Sequence, residues 1–93
     1  MIVGIMILDL HTKSTHSLKE KRHIVSSLKE KLKNKFNISL VESDYQDLWQ
    51  KIQVAVAMVS TSKVIVEKSF MQIEDFIFDH YPVQIVSISK DYI

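Results

Sequence analysis

The chain has 93 residues, 46% hydrophobic and 25% charged, with a net charge of +1 and no cysteine. That apolar content supports one folded core in one domain and excludes a disordered chain, while the missing thiols exclude disulfides, thiolate metal sites and cysteine nucleophiles. No apolar run reaches the ~18–20 residues that span a bilayer, and the apolar start lacks a basic leader and a small-residue cleavage site, so the expected setting is cytoplasmic.

Residues 1–11 are almost continuously apolar, broken by Gly4 and Asp9. Both alternating sets, Ile2/Met6/Leu8/Leu10 and Val3/Ile5/Ile7, are aliphatic, which reads as a central strand covered on both faces. Gly4 marks a close approach or a bulge. After a polar connection, Ser17 with Glu20 three residues on forms a capping box, and a helix is expected from there to Phe36. Its core stripe is Leu18, Val25, Leu28 and Leu32, flanked by Ile24 and Phe36.

Residues 37–44 read as a second strand that turns acidic at its end, and 45–48 as a short connection. Residues 49–60 alternate Ile52/Val54/Val56/Met58 against Gln53/Ala55/Ala57/Val59, a third strand that is again nearly two-faced. Thr61 or Ser62 caps a second helix whose core stripe is Val66, Phe70, Ile73 and Ile77. Pro82 ends that helix or lies just past it, and a weakly alternating last strand runs from Val83 to Ile93.

The order β-α-β-β-α-β over residues 1–93 predicts a single ferredoxin-like α+β sandwich. Its four-stranded antiparallel sheet has the first and third strands in the centre and two helices on one face. Two helices cannot cover both faces of that sheet. The two-faced central strands therefore predict a further cover, and a second copy of the chain, giving a homodimer, is the simplest one.

Charge is segregated along the chain. Residues 13–35 carry eight Lys/Arg against Glu20 and Glu30, a net of +6, and residues 36–93 a net of −4. On a helical wheel Lys19, Arg22, Ser26, Lys29 and Lys33 form one stripe beside the apolar one, a spacing able to track a phosphate backbone. Lys21, in the first turn, joins Lys19 and Arg22 as a phosphate contact, its stem along the core edge and its ammonium in solvent. The helix start at Ser17, with free N–H groups and His16 nearby, is a further anion-friendly spot. The alternative for the stripe is a solvated helix face. The central strands carry no aromatic apart from Trp49, so base stacking across the sheet is not expected and RNA would be met by charge and shape.

No constellation for catalysis stands out: there is no Ser-His-Asp set, no phosphate-binding glycine loop and no activated nucleophile, so no cofactor and no enzyme activity are expected. The histidines at 11, 16, 23 and 80 lack metal-ligand spacing. Glu42, Asp44 and Asp47 near the second connection would suit a hard cation only if they converged; a solvated acidic turn is the simpler reading. Trp49 reads as a packing or interface anchor, and Val64, Met71 and Phe78, seven residues apart on the second helix, as a partner surface.

Ser17-Leu18-Lys19-Glu20-Lys21-Arg22, Phe36-Asn37-Ile38-Ser39, Gln46-Asp47-Leu48-Trp49-Gln50 and Val59-Ser60, in that order across nearly the whole chain, resemble the YlxP-like bacterial domain of unknown function. The resemblance implies a small, cytoplasmic, ferredoxin-like protein, often encoded beside translation-initiation and ribosome-maturation genes, and hence a role near RNA or the ribosome. It supplies no catalytic residues. Lys31, Lys33 and Lys35 stand where that family usually carries arginines, which replaces bidentate phosphate grips with point charges. The expected function is a non-enzymatic binding module meeting structured RNA or a ribosomal particle through the first helix. The alternative is a self-associating interaction domain using the open sheet face.

Overall fold

The computed structural model describes residues 1–93. Strand β1 (Ile2–His11) leads to helix α1 (Leu18–Lys35), strands β2 (Ser39–Asp44) and β3 (Lys51–Ser60), helix α2 (Lys63–His80) and strand β4 (Gln84–Tyr92). The four strands form one antiparallel sheet in the order β2-β3-β1-β4. This is the βαββαβ arrangement that the element order predicted.

Each strand of the pair β1/β3 gives alternate residues to the helix layer. Met6, Leu8 and Leu10 from β1 and Ile52, Val54, Val56 and Met58 from β3 meet Leu28 and Leu32 of α1 and Val66, Phe70, Ile73 and Ile77 of α2. Burying an aliphatic or aromatic side chain of this size stabilises by ~1.5–3 kcal/mol each. Gly4 lies on this inner face against α2. A Cβ there would stand 2.3 Å from Val66 Cγ1 and 3.0 Å from the Phe70 ring, so the glycine serves close helix–strand packing and not a bulge.

Strand boundaries differ from the sequence reading: β2 begins at Ser39 and not at residue 37, and β4 runs from Gln84 to Tyr92 and not from Val83 to Ile93. β3 begins at Lys51, not at Trp49. The Trp49 and Gln50 carbonyls accept from Thr15 Oγ1 at 2.6 Å and from the Thr12 N–H at 2.9 Å. They thus tie the two connections together at one end of the sheet and do not enter the ladder. The weak alternation of β4 has a local cause. Asp9 pairs with Ser87 and Leu10 with Ile85, so Val86 is an extra residue that shifts the inward–outward phase.

Candidate nucleic-acid interface on the first helix

Helix α1 starts at the predicted Ser17 cap, but the Glu20 side chain reaches past the Ser17 N–H to that of His16. Ser17 Oγ accepts the Glu20 N–H at 3.2 Å, and Glu20 Oε2 accepts the His16 N–H at 2.7 Å. The carboxylate of Glu20 therefore already stands at the helix N-terminus, the spot that suggested an external anion. Lys19, Arg22, Lys29 and Lys33 are all exposed. From Lys19 to Lys33 the stripe runs ~21 Å at the helical rise. None of the four takes part in an ion pair; the pairs in the structure involve Lys21, Lys63 and Lys90. Two shallow polar depressions follow the stripe. One, of about 340 Å³, is lined by Ser26, Lys29, Glu30, Lys33 and Asn34, and the other, of about 280 Å³, by Lys19, Arg22, His23 and Ser26. Neither has a hydrophobic lining residue, so the surface suits a charged, hydrated ligand and not an apolar one.

The remaining cations of α1 are held differently. Lys35 Nζ lies over the Phe76 ring at 4.8 Å and Lys31 Nζ near the Tyr81 ring at 6.0 Å. Both are directed toward aromatics at the C-terminal end of α2, Phe76 within the helix and Tyr81 at its C-cap, where cation–π attraction holds them.

Lys21 leaves the set of phosphate contacts. Its side chain is fully buried, and its ammonium donates to the backbone carbonyls of Tyr45, Leu48 (2.6 Å) and Lys51 (2.9 Å), with Glu42 Oε2 at 2.9 Å. The stem does follow the core edge, but the head group turns into the β2–β3 connection and not into solvent. A buried cation is tolerated only where its charge and donors are matched, and here they are. The position was legible: Leu18, Lys21, Val25, Leu28 and Leu32 repeat at three and four residues, the spacing of a buried stripe.

Glu42, Asp44 and Asp47 do not converge on a cation site. Glu42 serves Lys21, and Asp44 Oδ1 accepts the Tyr45 N–H at 2.7 Å. The structure has no group of three or more His, Cys, Asp or Glu placed to share a metal ion. Trp49 is 44% exposed in the β2–β3 connection, its ring 6.5 Å from that of His16. Val64, Met71 and Phe78 stand 60–72% exposed along the outer face of α2, a separate surface from Trp49.

Sequence reading missed a polar row on the open face of the sheet. Ser43 Oγ donates to Gln53 Oε1 (2.9 Å), Gln53 Nε2 to Asp9 Oδ1 (2.9 Å), and Ser87 Oγ to Asp9 Oδ2 (2.8 Å). It crosses all four strands. Its signal was the isolated Asp9 and Gln53 in two otherwise apolar strands.

Residues 3–90 match the family described as protein of unknown function (DUF503). The chain belongs to the DUF503 family. A relative, the Bacillus subtilis (strain 168) protein whose name reads "Uncharacterized protein YlxP", is 42% identical over 66 residues, 71% of each chain. The YlxP-like resemblance read from the motifs is thus upheld. Among solved structures, the de novo designed protein Ferredog-Diesel covers 98% of this chain and 84% of its own, at 15% identity and a TM-score of 0.48. No helix of this DUF503 chain is long and apolar enough to cross a membrane.

Proposed function

We propose that this DUF503 chain is a non-enzymatic binding module that meets structured RNA, free or on a ribosomal particle, through the exposed face of α1. The cytoplasm is the setting that goes with such a partner. The observation that carries the reading is the line of four exposed cations, Lys19, Arg22, Lys29 and Lys33, none of them neutralised by an acidic side chain. Unpaired cations at regular spacing on a rigid helix bind a polyanion by releasing its counterions. The sheet offers no aromatic platform on its central strands, which favours duplex over unstacked bases.

The test is a titration of the full chain with duplex and single-stranded RNA at several salt concentrations. Duplex binding that weakens steeply with salt and is abolished by Lys29→Glu with Lys33→Glu is expected. Absence of binding at low salt, or binding indifferent to that double substitution, overturns the proposal.

A further inference from the structure

We propose that the sheet face opposite the helices is the two-fold interface of a homodimer, with β1 of each copy lying over β3 of the other. The face carries a contiguous aliphatic area. Val3, Ile5 and Ile7 project from β1, and in register beside them Val59, Ala57 and Ala55 project from β3. Val41, on β2, is 54% exposed and Val59 53%. Val3, Ile5, Ile7, Ala55 and Ala57 are half-buried here, with no helix over them, because both helices take the other face.

The pattern is self-complementary in size. β1 presents large side chains and β3 small ones at the paired positions Ile5/Ala57 and Ile7/Ala55. A two-fold axis in the interface, parallel to the strands and between β1 and β3, sets Ile5 over Ala57 and Ile7 over Ala55 of the other copy, and the reverse. Large then meets small at both places, as an isologous contact requires. An axis across the strands would set isoleucine on isoleucine and the polar row on the aliphatic area.

The polar row fits the same axis. Asp9 pairs with Gln53 in register, so the row of one copy faces the row of the other. Both Asp9 oxygens are already hydrogen-bonded within their own chain, which removes the cost of an orphaned acceptor on burial. Lys51 pairs with His11 one step beyond, so the axis places Lys51 over His11 of the other copy, at the end of the face.

The area suffices. β1 and β3 each present five outward residues and the shorter flanking strands three or four each; at ~4.8 Å between strands and ~6.8 Å between rows the face is roughly 540 Å² per copy, about 1,080 Å² in total, just above the ~1,000 Å² that a specific interface needs.

Sedimentation equilibrium of the full chain at high micromolar concentration tests this. Twice the 10.8 kDa chain mass is expected, falling to the single mass in Ile7→Lys, whose far-ultraviolet circular dichroism and melting remain those of a folded chain. Ala55→Lys, from the facing strand, is expected to do the same. Ile7→Ala and Ala55→Ile each weaken the dimer about tenfold, and combining them restores it to within a few-fold, because small then meets large again. A monomeric parent chain overturns the proposal. So does a dimer that survives both lysine substitutions, or one lost instead on Met71→Lys. Additive weakening in the double variant overturns the β1-over-β3 register. Lys29→Glu with Lys33→Glu leaves the dimer intact, which separates its fate from that of the RNA reading.

Discussion

The ammonium of Lys21 lies 2.9 Å from Oε2 of Glu42, joining the first turn of α1 to β2 across the β2–β3 connection. The three N–H groups of Lys21 are already directed at the carbonyls of Tyr45, Leu48 and Lys51. Glu42 therefore contributes charge balance more than a further hydrogen bond. Tyr45, whose carbonyl is one of those acceptors, has φ 65°, the left-handed region that non-glycine residues rarely occupy. The tight turn and the internal cation thus belong to one device: the chain bends to bring carbonyls onto Lys21.

Lys21→Met is expected to destabilise the fold by ~3–5 kcal/mol, because it leaves a buried carboxylate and three carbonyls without their cation. Glu42→Gln is expected to cost less, since the carbonyls keep their donor. Urea unfolding followed by Trp49 fluorescence checks both. A Lys21→Met variant as stable as the parent would remove the structural role assigned to this residue.

Gly4→Ala places a methyl group against Val66 Cγ1 at 2.3 Å. Overpacking of this kind costs ~1–3 kcal/mol. A lowered thermal midpoint is expected, with partial recovery when Val66→Ala opens the same space. Recovery in that pair, measured as a double-mutant cycle, identifies helix–strand contact as the cause.

At Tyr45 the left-handed backbone decides tolerance. Tyr45→Asn is expected to be mild and Tyr45→Val to cost ~1–3 kcal/mol, because a β-branched side chain resists positive φ. Denaturant midpoints of the two variants rank them; equal midpoints would exclude backbone strain as the dominant effect.

For RNA affinity, single alanine substitutions at Lys19, Arg22, Lys29 or Lys33 are each expected to reduce the slope of log affinity against log salt by about one. Lys31→Ala and Lys35→Ala are expected to change it less, because their ammonium groups lie near Tyr81 and Phe76. Filter binding at graded salt distinguishes the two sets.

Much of the fold was legible because periodicity reports burial directly. The alternation in β1 and β3, the stripe Val66/Phe70/Ile73/Ile77 and the capping box at Ser17 all lead to the observed elements. The helix stripe of Lys19, Arg22, Lys29 and Lys33 was equally legible, since residues three and four apart share a helix face wherever the helix docks. The role of Lys21 was not, although its spacing placed it with the core. Charge argues for solvent unless partners are known, and its partners lie 21 to 30 residues away in sequence.

The order of elements and the side of each helix that is apolar follow from local pattern alone, through the 3.6- and 2-residue repeats of side-chain direction. The family of the chain was also readable from its motifs. Only the tertiary structure decided which polar groups meet. Asp9, Gln53, Ser43 and Ser87 form one row because strand register sets them side by side, and register is a long-range property of the pairing. Lys21 became a buried cation because the β2–β3 connection folds its carbonyls onto it. A hydrogen bond depends on positions within a few tenths of an ångström, and local sequence preference sets no such distance between segments far apart in the chain.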